Sequence, residues 1–230
     1  MLDHLFLDTV GVLRAALDDT LLERPGQEDR LVFDMLNGDL IWESSVSLPG
    51  DGDPPRVTAD INLDWSAWSQ AAWRGLAAGE EVDGAPEIGI EIVFRAQRLA
   101  SRPALSKVLE VLPPTSPLFG SEPLARSAPI IEEAYDDEGP AEIAVEVAYE
   151  GTYRLPAPAE EDGADSETLF PAWARGRGPD AAGRLGATRQ VSAATKATLE
   201  ALGAWLASTL VHLADLDLDY LPPAEEEEED

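Results

Sequence analysis

Three stretches of this chain alternate apolar and polar residues with a period of two, and that pattern limits what the rest can fold into. From Arg56 to Asp64, one parity holds Val57, Ala59, Ile61 and Leu63, and the other holds Thr58, Asp60, Asn62 and Asp64. Glu87 to Arg95 repeats the pattern with Ile88, Ile90, Ile92 and Phe94. Glu142 to Arg154 repeats it again with Ile143, Val145, Val147, Tyr149 and Tyr153. Successive side chains of a strand point to opposite faces, so each stretch reads as a strand with one buried and one wet face. Antiparallel sheets covered on one side only have this character.

Local signals extend the sheet. Leu31–Leu36 and Asp39–Leu48 flank Asn37-Gly38. That dipeptide suits the positive φ of both central residues in a type I′ turn, which predicts a β-hairpin. With Arg56–Asp64 it forms a three-stranded meander. Asp64 or Ser66 is placed to cap a helix carrying Trp65, Trp68, Ala72, Trp73 and Leu76 on one stripe, and Gly79 to close it. Two long helices are expected near the two ends. Leu2 to Glu23 carries Leu5, Val12, Leu13, Ala16, Leu17 and Leu21 at helical spacing, and Arg24-Pro25-Gly26 ends it. Gln190 to Ala214 carries Val191, Leu199, Leu202, Leu206, Leu210 and Leu213.

Between the alternating stretches, residues 101–129 hold Pro113, Pro114, Pro117, Pro123 and Pro129. They predict an irregular segment with one short helix around 104–109. Residues 156–165 read as an acidic linker, and 223–230 as a disordered acidic tail ending in six consecutive acids from Glu225. Strands in runs with helices at the ends predict the α+β class. The expected architecture is a mainly antiparallel sheet with the N-terminal and C-terminal helices packed on one face. It forms one domain over residues 1–222.

Charge then sorts the partners. The chain carries 45 acidic and 16 basic residues, a net charge of −29. Nucleic acids and anionic membranes bind through Lys and Arg meeting phosphate, so direct contact with either is disfavoured. A protein partner is expected, and no residue pattern specifies an oligomeric state. The apolar fraction of 44% still leaves a full core. There is no cysteine, which removes disulfides, thiolate chemistry and cysteine-based metal sites. Met1 to Leu13 has Asp3 and Asp8 and no basic residue, unlike a signal peptide. Ala201–Leu210, the longest apolar run, is short for a membrane span. A cytoplasmic protein is expected.

No catalytic residue, metal or cofactor is assigned. The two histidines, His4 and His212, sit on the terminal helices outside any recognised motif. Asp60, Asn62 and Asp64 share a strand face, and Asp51 and Asp53 are near enough in sequence to join them around a hard cation. A strand splays such groups, so the reading is a solvated face. Asp215, Asp217 and Asp219 alternate with Leu216, Leu218 and Tyr220 and read as a short closing strand. Gly178–Leu185 has the glycine spacing of a phosphate loop, but Arg184 and Leu185 stand where lysine and a hydroxyl are needed.

The exception to the acidity is residues 170–190, where Arg175, Arg177, Arg184 and Arg189 meet a single acid, Asp180. Trp173 lies among them. Arg and Trp are favoured at interface hot spots, so these five residues are the candidate partner-binding set. The expected function is a non-enzymatic protein–protein interaction protein, a subunit or adaptor of a larger assembly. The alternatives are an acidic inhibitor or nucleic-acid mimic of a basic partner, and a carboxylate- or metal-dependent enzyme.

Overall fold

The computed structural model describes residues 2–21, 27–34, 40–48, 55–136, 139–155 and 193–222. In chain order these form α1 (Leu2–Leu21), β1 (Gln27–Asp34), β2 (Leu40–Ser47), β3 (Val57–Trp65), α2 (Ala67–Ala78) and β4 (Glu87–Leu99). There follow α3 (Leu105–Val111), β5 (Thr115–Phe119), β6 (Glu122–Arg126), β7 (Ile130–Asp136), β8 (Gly139–Arg154) and α4 (Ala193–Ala214). The class is α+β, as the alternation requires. The eight described strands form one antiparallel sheet in the order β1-β2-β3-β4-β8-β6-β5, with β7 also on β8.

The hairpin register follows from its turn chemistry. Asp34 lies opposite Ile41 and Phe33 opposite Trp42, the pairing that a two-residue loop at 37–38 sets. The turn itself lies outside the described residues. β1 starts earlier than its apolar run, at Gln27, through a bulge between Glu28 and Arg30. β4 and β8 pair along most of their lengths, Glu87 opposite Arg154 through to Leu99 opposite Ile143. The far edge of β8 takes β7 beside residues 139–146 and β6 beside Tyr149 and Glu150.

Alternation becomes burial. Ile61, Leu63, Ile88, Ile92, Phe94, Val145 and Tyr149 are nearly or fully buried on the inward parity. α1 and α4 cover that face: Phe6 stacks on Trp65 at 6.4 Å, and Trp205 meets Phe94 and Tyr149 edge-on at 5.7 and 5.0 Å. The two helices cross closely at Gly203, where a Cβ would come within 2.7 Å of the Leu13 carbonyl oxygen and 2.8 Å of the Ala16 Cβ. Leu199, Leu202, Leu206, Leu210 and Leu213 are buried as the α4 stripe requires. Residues Thr195–Ala214 also have the length and mean hydropathy, 1.2, of a membrane span. That departs from the expectation drawn on Ala201–Leu210, because the helix runs longer than its most apolar core.

Other expectations need correcting. α1 buries Phe6, Val10, Leu13, Leu17 and Leu21, while Val12 and Ala16 are only half-buried. Ser66 caps α2, its Oγ accepting from the Ser69 N–H at 3.2 Å, and Gly79 closes it at φ 79°. Trp65 and Trp73 are buried, but Trp68 is 53% exposed and packs over Gly84. The proline-rich segment is more regular than expected. α3 is there, and so are β5 and β6, which hold Pro117 and Pro123. Prolines forbid long ladders but are tolerated in five-residue strands at a sheet margin. β7 escaped the alternation test because its residues come in like pairs, Ile130-Ile131 and Glu132-Glu133.

Candidate functional site

Among the described residues, no helix covers the opposite face of the central strands. The register builds rows across it. In one row, Glu43 of β2, Asn62 of β3, Glu91 of β4 and Glu150 of β8 lie side by side. The next row is Ser45, Asp60, Val93 and Ala148, and on the other side Ile41, Asp64, Gly89 and Thr152. Glu43, Asp60, Asp64, Glu91 and Glu150 are all exposed. Glu91 stands directly opposite Glu150, a like-charge cross-strand pair that disfavours the sheet. None of Glu43, Asp60, Glu91 and Glu150 has an ion-pair partner among the described residues.

A groove of about 290 Å³ runs over these rows, lined by Glu43, Ser45, Asp60, Asn62, Glu91 and Val93. Toward the start of β3 the face changes character. Arg95 pairs with Glu146 across the β4–β8 ladder and with Glu132 of β7 at 2.9 Å, so charge there is internally matched. Beyond it, on the exposed rim, Arg102 pairs with Glu133, and that guanidinium is the main cause holding the Glu133 carboxyl below its usual range. The sheet face is thus unmatched and acidic over Glu43–Glu91–Glu150, and matched around Arg95.

Asp60, Asn62 and Asp64 share this outer face as the alternation predicts. Among the described residues no three His, Asp or Glu side chains converge as metal ligands would. Asp51 and Asp53 lie outside the described residues, as do the Arg/Trp set of Trp173, Arg175, Arg177, Arg184 and Arg189, the glycine motif at 178–185, the linker at 156–165 and the tail from 223. His212 is exposed in the last turn of α4. Asp215, Asp217 and Asp219 are exposed on one side of a short run that bridges the sheet through Tyr220 opposite Leu99.

The alignment of Glu43, Glu91 and Glu150 in one row was not read from the sequence. Their parities were visible, but the β3–β4 and β4–β8 registers that bring them together come from pairing across long separations. No protein-family model, curated protein or solved structure matches this chain.

Proposed function

We propose that this protein is a non-enzymatic interaction protein, a subunit or adaptor of a larger assembly, and that the uncovered sheet face receives a basic surface of its partner. The carrying observation is the row Glu43, Glu91 and Glu150 with Asp60 and Asp64 beside it, exposed and built around a directly opposed carboxylate pair. A solvated face needs charge for solubility, but it does not need like charges placed opposite one another. A cationic partner turns that repulsion into attraction and steers its own approach. An acidic inhibitor of a basic, nucleic-acid-binding protein would use the same face in the same way, and it is the second reading.

The test is affinity capture from the source cell with the full chain, at about 0.05 M and about 0.5 M salt. The parent is compared with a variant carrying Glu43→Gln, Glu91→Gln and Glu150→Gln, and with one carrying Arg175→Ala, Arg177→Ala, Arg184→Ala and Arg189→Ala. The expected result is a basic protein captured by the parent, held less well at high salt, and lost from the first variant only. Loss from the arginine variant alone would move the interface to residues 170–190.

A further inference from the structure

Trp68 stands apart from the other described tryptophans. Trp42, Trp65 and Trp73 are buried and Trp205 is partly buried, while Trp68 is 53% exposed on the first turn of α2. The exposure is not slack. On its own helix the next two residues are buried and pinned: Glu87 N–H donates to Ser69 Oγ at 2.9 Å, and Gln70 Nε2 donates to the Trp65 carbonyl at 2.7 Å. The loop after α2 is fitted back onto the helix at two glycines. Glu80 N–H donates to Gly75 O at 2.9 Å, and a Cβ on Gly75 would meet Val82 Cγ2 at 3.0 Å. A Cβ on Gly84, where φ is +94°, would meet Trp68 Cη2 at 3.1 Å. The indole is therefore held in place with half of its surface in water.

The loop that holds the indole is acidic. From Gly75 to Phe94 the chain carries Glu80, Glu81, Asp83, Glu87 and Glu91 and no base. Glu80, Glu81 and Asp83 are exposed, and none of them forms an ion pair among the described residues. The base on α2, Arg74, donates instead to Gln70 Oε1 at 3.3 Å. The face of an indole is the negative pole of its quadrupole, so ring and carboxylates attract the same thing, a cation. The rest of the helix argues against an apolar partner. Its other exposed residues are Ala67, Ala71, Arg74 and Ala78, so no second large apolar side chain widens Trp68 into a patch.

We propose that Trp68, with Glu80, Glu81 and Asp83 on the loop fitted against it, docks an arginine or lysine side chain from a basic segment of a protein partner. The cation stacks on the open indole face, and the loop carboxylates draw it in and accept its hydrogen bonds. This takes from the sheet-face reading only that the partner is basic. The anchor lies on α2 and its loop, on none of the residues of the Glu43–Glu91–Glu150 row, so the two can fail separately.

The full chain is labelled with fluorotryptophan, Trp68→Phe assigns the Trp68 fluorine resonance, and a hexa-arginine peptide is titrated against a glutamine peptide of equal length. The Trp68 resonance should shift to saturation with the arginine peptide only. Trp68→Leu leaves every charge in place and should weaken binding about fivefold, with Trp68→Phe losing less. Trp68→Phe also keeps a ring against Gly84, so it carries the comparison if Trp68→Leu does not fold. Glu80→Gln/Glu81→Gln/Asp83→Asn should weaken binding roughly tenfold at about 0.05 M salt and less at about 0.5 M. Unchanged affinity in Trp68→Leu and Trp68→Phe would overturn the proposal. If Glu43→Gln/Glu91→Gln/Glu150→Gln then lost binding, the sheet-face reading would stand alone; the reverse pattern would keep Trp68 and sink the sheet face. A Trp68 resonance that moves on dilution of the free protein would overturn it in favour of a second copy. One that moves without peptide in Arg175→Ala/Arg177→Ala/Arg184→Ala/Arg189→Ala would overturn it in favour of the chain's own arginines.

Discussion

The two faces of β4 and β8 are made by the same backbone and obey different rules. Inward, Ile88, Ile90, Ile92 and Phe94 are each no more than 4% exposed. Burying such a side chain is worth about 1.5–3 kcal/mol. Outward, Glu91 opposes Glu150, an arrangement that costs about 0.2–1 kcal/mol. The inner face is chosen by stability alone. The outer face is free of that demand, and at this row it departs from what stability favours. Four residues along β4 the same face is conventional, with Arg95 paired to Glu146 and Glu132. The departure is therefore local to the Glu43–Glu91–Glu150 row and not a property of the whole acidic coat.

The strongest way to probe this contrast is to remove an inward side chain. Phe94 is fully buried and meets Tyr149 and Trp205 edge-on at 5.9 and 5.7 Å. Phe94→Ala should cost about 3–5 kcal/mol, read as a lowered urea midpoint with unchanged slope. A cost below about 1 kcal/mol would mean that the inward face is not the close-packed core described, and the contrast would fail.

Tyr149 sharpens the same point through pH. Its ring is buried and its hydroxyl donates to the Pro113 carbonyl at 2.6 Å. Burial pushes its pKa from 10.0 up to about 12, with Arg126 pulling weakly the other way. The folded state therefore holds this proton more tightly than the unfolded state. Its contribution is complete below pH 10 and is lost as pH rises from about 10 to about 12. Tyr149→Phe should remove that part of the alkaline loss, roughly 1–3 kcal/mol across the window, while costing about 1 kcal/mol near neutrality for the hydrogen bond. Parallel alkaline unfolding curves for the two proteins would contradict it.

What the sequence made legible follows the same division. The inward face was readable because a period of two, imposed by pleating, recurs in β3, β4 and β8 without interruption. The hairpin register was readable because Asn37-Gly38 allows few loop geometries. Trp68 was misplaced because a helical stripe of large apolar residues looks alike whether or not each one is buried; here Trp68 stays 53% exposed, over Gly84. β5 and β6 were missed because proline argues against ladders in general and says little about five-residue strands at the margin. The outer row was half legible: parity put Asp60 and Asp64 outside, but Glu43, Glu91 and Glu150 meet only through registers set by residues as far apart as Glu91 and Glu150.

The smallest predicted effect separates the two faces most finely. Glu91→Gln and Glu150→Gln each remove one member of the opposed pair, so each should stabilise the fold by about 0.2–1 kcal/mol. The double variant should gain little beyond either single one, because the first substitution already abolishes the repulsion between the two carboxylates. Asp60→Asn, one row away and opposite Ser45 and Val93, removes the same charge without a directly opposed partner and should gain less. Chemical denaturation at low salt measures all four, and the gains should shrink as salt screens the exposed pair. Destabilisation by Glu91→Gln would mean that this carboxylate already has a favourable partner within the chain, and the outer row would then be a structural device like the Arg95 cluster. Stabilisation coupled between Glu91 and Glu150, together with loss of a basic partner from the same variants, would show a surface that gives up stability for binding.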